Sequence, residues 1–301
     1  MSESRYCAAG AEFAAERARL ALLESSTDPI TFERLERRGV ARGWRCWEVA
    51  AGGGSVARWL AERVGSEGCV IATDIDTRFL EAQGLPDNVE VRRHDVMCDP
   101  LESGGYDLVH SRALIEYLPD PLRALERMAA ALRPGGWLVV ESADFLPLRS
   151  AAPDHAASST FDRVSHVFVD AMLADGVMDL LLAPRLPALL ESLGLVAVES
   201  EGDARVHRGG SSLATFLDRS VARVRERMLD RGRASAHDLA TFSRALADPS
   251  FSWMAWIRFA AWGRRPSPDI DENSPTRVET AFAACYGLRS ATTCTVAPVR
   301  R

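Results

Sequence analysis

The stretch from Arg45 to Asp76, RCWEVAAGGGSVARWLAERVGSEGCVIATDID, does most to limit what this chain can fold into. A short, largely apolar run, Cys46 to Ala50, is followed by three consecutive glycines at 52, 53 and 54. Val56, Trp59, Leu60 and Val64 then recur at helical spacing. A second apolar run, Cys69 to Ala72, leads to the acidic residues Asp74 and Asp76. The pattern reads as strand, glycine turn, helix, strand. Glycines remove every Cβ from the turn, so a ligand can approach the backbone closely and positive φ angles cost little. The helix behind the turn directs its free N–H groups at whatever lies above it. An acidic side chain at the tip of the next strand can accept hydrogen bonds from both hydroxyls of a ribose. Together these features read as an adenosine-binding βαβ unit; the alternative is a buried glycine-rich turn beside a solvent-exposed Asp.

The spacing of the glycines discriminates between adenosine ligands. A dinucleotide fingerprint wants glycines at its first, third and sixth positions, whereas counting from Ala50 gives Ala50, Gly52 and Ser55. Counting from Glu48, alternate positions read Glu48, Ala50, Gly52 and Gly54. That series resembles the acidic-x-Gly-x-Gly-x-Gly signature of class I S-adenosylmethionine-dependent methyltransferases, with Ala50 where the family usually has its first glycine. Further segments keep that family's order. Val89 to Arg93 alternates as a third strand and ends at His94-Asp95-Val96. The fourth strand, YDLVH, runs into SRALIEYLPDP, and a helix opened by Pro121 closes through LRPGG into a fifth strand, Trp137 to Glu141. The similarity covers Trp44 to Asp144. Within the family, GGGSVARWLAERV and YDLVHSR are most similar to the ubiquinone-biosynthesis-type small-molecule branch.

The resemblance implies an α/β fold: a Rossmann-like doubly wound seven-stranded sheet, mostly parallel with an antiparallel last strand, carrying helical cap insertions. It implies S-adenosyl-L-methionine as cofactor and methyl transfer to a small-molecule nucleophile of secondary-metabolite or quinone/phenol type. The cofactor residues it implies are Glu48, Ala50, Gly52 and Gly54 at the turn, Asp74 and Ile75 after the second strand, Asp95 and Val96 beside the adenine, and Ser111 and Arg112 past the fourth strand. Asp95 has the alternative role of a turn cap. His110, at the tip of the fourth strand, is placed by position as a general base. Its rival is His166, flanked on one helical stripe by Asp162 and Asp170, whose alternative is a solvated polar face. A third possibility is catalysis by alignment, with no base at all. Two other function classes stay open. One is an NAD(P)-dependent oxidoreductase, disfavoured by the glycine spacing and the absence of a Tyr-x-x-x-Lys pair. The other is an S-adenosylmethionine-binding fold repurposed as a non-transferring cyclase or a regulatory protein.

Around this core, residues 1–43 are expected to form helices packing on the core or serving as a lid. One is Ala11 to Leu23, with Phe13, Leu20 and Leu23 as its buried side; a second, begun by Asp28-Pro29, runs through Leu35 and is stopped by Gly39. Tyr6 is placed to reach the site. Residues 44–264 would be the methyltransferase domain, with cap insertions near 145–184 and 209–248. Leu146 to Ser159 reads as a loop, Phe161, Val164, Phe168 and Met172 as one helix face, and Leu213 to Met228 as one helix capped by Ser211 or Ser212. Trp253 to Trp262 reads as one strand, and 265–301 as a polar, disordered tail. The formal net charge of −6, with no basic cluster free of acidic residues, speaks against nucleic acid as partner. No apolar run approaches the roughly 20 residues of a membrane span, and the first ten residues lack the shape of a signal peptide, so a cytoplasmic location is expected. The six cysteines show no CxxC pairing, so no metal is expected. Oligomeric state leaves no mark in the sequence.

Overall fold

The computed structural model describes residues 13–100, 104–174, 178–179, 181–230 and 232–267. Tyr6 and the segment from residue 268 onward lie outside the described residues. Along the chain come α1 (Phe13–Arg37), β1 (Arg45–Val49), α2 (Ser55–Val64), β2 (Cys69–Asp74), α3 (Arg78–Glu81), β3 (Val89–Arg93), β4 (Tyr106–Arg112), α4 (Pro121–Ala131) and β5 (Leu132–Asp144). Then follow β6 (Arg149–Ser150), α5 (Ser158–Ala174), α6 (Leu186–Ser192), β7 (Val196–Asp203), β8 (Val206–Arg208), α7 (Ser212–Arg223), α8 (Arg225–Asp230), α9 (Ala236–Ala247), β9 (Ser252–Met254) and β10 (Ile257–Arg264). Short 3₁₀ turns occupy Ile115–Tyr117 and Ala183–Arg185.

Seven strands form one sheet in the order β3-β2-β1-β4-β5-β10-β7. All neighbours are parallel except β10, which runs antiparallel to both β5 and β7. The order reverses between β1 and β4, where Glu48 lies beside His110 and Val49 beside Ser111. In an open α/β sheet that reversal opens a crevice at the carboxyl ends of the strands, so the topology alone locates the place for a ligand. The central strands are apolar on both faces, as burial beneath two helical layers requires. Cys46, Val70, Leu108 and Val139 pack under α1 and α2, and Trp47, Ile71, Val109 and Leu138 pack under α4 and α6. Among the described residues, no helix is long and apolar enough to cross a membrane.

A second, three-stranded sheet, β6-β9-β8, packs with α5, α7, α8 and α9 around an apolar core of its own. Phe161 stacks on Phe242 at its centre, 4.7 Å between ring centroids, and Trp253 is fully buried there. Ser211 caps α7 by accepting from the Ala214 N–H, and Leu213, Phe216, Leu217, Val221, Val224 and Met228, spaced along one side of this stretch, are all buried.

Several local expectations are corrected. The N-terminal region is one helix, with Pro29 inside it, and not two. Asp28 therefore does not cap; its carboxylate is spent on Arg112 and Ser55, and buried anchors on both sides of Pro29 hold the helix continuous through the break. The buried side of its first half is the ion pair Glu16–Arg19, joined by Arg223 of α7, while Phe13, Leu20 and Leu23 are only half-buried. The expected long helix ending at Met228 divides into α7 and α8. The expected strand from Trp253 to Trp262 divides at Ala255-Trp256 between the two sheets, which explains why it is bulky on both faces. Arg149 and Ser150, read as loop, form the edge strand that pairs with β9.

Candidate active site

The turn after β1 holds Ala50, Gly52 and Gly54 at φ values of 55°, 54° and 86°. This is the left-handed region, which glycine enters freely and an L-residue enters at a cost of about 1–2 kcal/mol. Ala50 takes that conformation nonetheless, so the departure from the glycine signature leaves the turn intact. The turn is tied down by Ala51 N–H to the Thr73 carbonyl and by Gly54 N–H to the Ala51 carbonyl, each at 2.9 Å.

Asp74 ends β2 level with this turn. One carboxylate oxygen accepts from the Gly52 N–H and the other from the Asp76 N–H, both at 3.0 Å. Burial pushes its carboxyl above the usual range, and those two amides pull it back. Its neighbour Ile75 stands 49% exposed, an apolar side chain presented to solvent beside the crevice. At the tip of β3, Asp95 accepts from the Met97 N–H at 2.8 Å in an Asx turn, so one of its oxygens is engaged as a turn cap. Val96 is buried, and its carbonyl accepts from the Arg127 guanidinium.

Strand β4 brings His110, Ser111 and Arg112 to the other side of the crevice. His110 is wholly buried and donates from Nδ1 to Glu48 Oε2 at 2.6 Å, while its Nε2 lies 4.0 Å from Glu141 Oε1. Glu48 thus faces the histidine and not the turn. Glu141 in turn accepts from Thr31 Oγ1 at 2.7 Å and pairs with Arg34, whose Nε donates to Glu201 at 2.8 Å. Arg112 pairs with Asp28 at 2.9 Å and donates to Thr31 Oγ1 at 3.0 Å. Ser111 is buried with its hydroxyl unpartnered. The tips of β4 and β5 are therefore bound to α1 by polar contacts through Arg112, Thr31, Glu141 and Arg34, while the Glu48–His110 pair lies beside them, the His110 Nε2 stopping 4.0 Å from Glu141. Composition and periodicity carry no sign of these contacts, because each bonded pair joins residues more than 60 positions apart in sequence.

His166 sits elsewhere. It is exposed on α5 and donates from Nδ1 to the Asp162 carbonyl one turn back at 2.7 Å. Its two flanking carboxylates turn away, Asp162 to the Ser150 N–H and Asp170 to Arg233.

One group has no local signal in the sequence. Glu116, in the 3₁₀ turn after β4, is 2% exposed; Ser142 is beside it, yet neither carboxylate oxygen completes a hydrogen bond. Burial pushes its carboxyl from an ordinary 4.5 up to about 7. The folded state therefore holds this proton more tightly than the unfolded chain does. Its contribution to stability is complete below pH 4.5 and is lost as the pH rises through about 7. Glu116→Gln should accordingly be more stable than the wild type at pH 8, by up to about 3 kcal/mol, and within about 1 kcal/mol of it at pH 5. Urea titrations at the two pH values measure this; a variant no more stable at pH 8 would mean that the carboxylate finds a partner.

Residues 47–140 match the family described as a methyltransferase domain. The chain is similar to a ubiquinone/menaquinone biosynthesis C-methyltransferase of Francisella philomiragia, 28% identical over 115 residues that cover 36% of this chain and 46% of that protein. It is also similar to a demethylmenaquinone methyltransferase of Lactococcus lactis, 27% identical over 199 residues, 62% of this chain and 77% of that protein. The chain spans less than half the length of several curated relatives that it matches. Among solved structures, a candidate methyltransferase of Bacillus halodurans C-125 shares the fold, with a TM-score of 0.51 at 18% identity over 78% of this chain and 98% of that one.

Proposed function

We propose, from the premise that this chain carries a class I methyltransferase domain, that it binds S-adenosylmethionine above the β1–β4 boundary and passes the methyl group to a small-molecule nucleophile. The observation that carries this reading is Asp74, held level with the glycine turn by the Gly52 amide, where a carboxylate can receive ribose hydroxyls. The residues present fit the cofactor: a left-handed turn at Ala50, Gly52 and Gly54 for close approach, Asp74 for the ribose, and exposed Ile75 for the adenine face, flanked by Asp95 and Val96. Ser111, beside Val49, and Arg112, which follows it at the tip of β4, would serve the methionyl part. When bound, S-adenosylmethionine supplies an electrophilic methyl group on its sulfonium.

The protein's own contribution is alignment and exclusion of water. Phe145, directly past β5, stacks on Trp256, directly before β10, with centroids 5.0 Å apart, and Phe168 and Phe216 extend the cluster. Phe168, Phe216 and Trp256 belong to the buried core of the cap, and half-buried Phe145 is the aromatic of this cluster that can face a flat, apolar acceptor such as a phenol or quinol beside the strand tips, with the two insertions, 145–184 and 209–248, as the substrate cap. His110, locked to Glu48, serves chiefly to hold the strand tip in place, and remains a better candidate for proton removal than His166. A cytoplasmic enzyme of intermediary or secondary metabolism fits these features.

Calorimetric titration with S-adenosylhomocysteine tests the cofactor assignment. The wild type should bind, and Asp74→Ala, which loses two charge-assisted hydrogen bonds, should bind about 2–4 kcal/mol more weakly, or roughly 30- to 800-fold. Unchanged affinity in a folded Asp74→Ala would remove Asp74 from the site.

A further inference from the structure

The glycine turn is covered from within the chain. The first half of α1 lies across it, so that a Cβ added to Gly52 would stand 3.8 Å from Leu20 Cδ2, and one added to Gly53 would stand 2.3 Å from Glu24 Oε1 and 3.1 Å from Oε2. The Cβ that Gly53 lacks therefore makes room for the Glu24 carboxylate. One helical turn on, Asp28 accepts from Ser55 Oγ at 3.0 Å. Two carboxylates on one face of α1 thus rest on the turn and on the first residue of α2. The N–H and hydroxyl of Ser55 favour the ionised form of Glu24, as the start of a helix does for an anion.

Both halves of α1 are anchored by buried side chains, so the helix is a fixed support for Glu24. The second half is fastened to the sheet through buried side chains, Thr31 to Glu141 and Arg34 to Glu141, Glu201 and the Arg258 carbonyl. The first half rests on α3 and α7 through the Phe13–Phe79 stack and the Glu16–Arg223 pair. Between them Pro29 lacks the N–H that would continue the helical ladder. Just before it, the hydroxyls of Ser25, Ser26 and Thr27 fold back onto the Leu22 and Leu23 carbonyls, and Arg258 of β10 donates to the Ser26 carbonyl at 2.6 Å, so this stretch too is tied to the sheet. The seat of Glu24 is also a costly one: burial and the neighbouring Asp28 both push its carboxyl up, and Arg112 only partly offsets them.

We propose that Glu24 is an internal plug of the cofactor site: its carboxylate occupies the surface of the glycine turn, and the cofactor enters by displacing it as the Glu24 side chain turns aside. The inference rests on the methyl-transfer reading, because it takes the turn to be the cofactor's seat. A site blocked for most of the time binds with an apparent affinity reduced by the open fraction. Removing the plug should therefore tighten binding, where removing a cofactor ligand would weaken it.

The test is calorimetric titration of full-length wild type, Glu24→Ala and Glu24→Gln with S-adenosylhomocysteine, with thermal melting to verify that each is folded. Glu24→Ala should bind about tenfold more tightly than wild type and associate faster in stopped flow, with Glu24→Gln, which keeps the bulk but not the charge, in between. Equal affinity would overturn the plug, and weaker binding would make Glu24 a ligand of the cofactor. If the wild type binds and Glu24→Ala does not bind more tightly, only the plug has failed; if neither binds, the methyl-transfer reading falls and takes the plug with it.

Discussion

Gly52→Val should show no heat on titration with S-adenosylhomocysteine, even at concentrations a hundredfold above the wild-type dissociation constant, while its helical circular dichroism stays largely intact. Gly52 has φ 54°, and nothing but Leu20, at 3.8 Å, stands near the position of an added Cβ. The variant's folding cost is therefore the backbone strain of an L-residue in the left-handed region, about 1–2 kcal/mol against a typical 5–15 kcal/mol of stability. The valine methyls would occupy the gap between the turn and α1, the space that the methionyl part of the cofactor needs. Strain there would also disturb the Gly52 N–H, which holds Asp74 in place. Wild-type affinity in Gly52→Val would place the pocket elsewhere.

His110→Ala should cost about 3–5 kcal/mol of folding stability, because it leaves the Glu48 carboxylate, 3% exposed, without its partner 2.6 Å away. His110→Gln keeps a donor toward Glu48 and should lose less. Urea unfolding monitored by circular dichroism measures both; a loss under about 1 kcal/mol in His110→Ala would show that Glu48 readily finds another donor. The same variants separate support from chemistry. If transfer depends on alignment, folded His110→Gln and His166→Ala should each keep turnover within about tenfold of wild type. A drop of roughly 10²–10⁴-fold confined to His110→Gln would instead identify it as the base.

The sheet was legible because its signals are local. The glycines at 52–54, the acidic tip at Asp74 and the Pro-Gly-Gly turn before β5 each demand a particular backbone within a few residues. Even Ala50 misled little, since the hydrogen bonds of the turn impose its φ of 55° whatever the side chain. What escaped the sequence depends on distant partners. Pro29 reads as a helix start, yet α1 runs through it because Glu16 is held by Arg223, 207 residues away, and Arg34 by Glu201, 167 residues away. Glu24 looks like an ordinary helix-surface acid until the fold lays it on Gly53. Glu116, in a polar-looking IEYLPDP segment, shows its unpartnered burial only once the fold sets it beside Ser142 of β5. The stretch from Trp253 to Trp262 reads as one strand for a related reason: its local pattern cannot reveal that its two ends belong to different sheets.

A native mass spectrum of freshly purified full-length protein, recorded before and after addition of S-adenosylhomocysteine, interrogates the proposed site most directly. The wild type should carry one nucleoside adduct per chain, either co-purified or acquired on addition, and Gly52→Val should carry none. An adduct of nicotinamide dinucleotide mass, or wild type and Gly52→Val loading alike, would contradict a cofactor seat at the glycine turn.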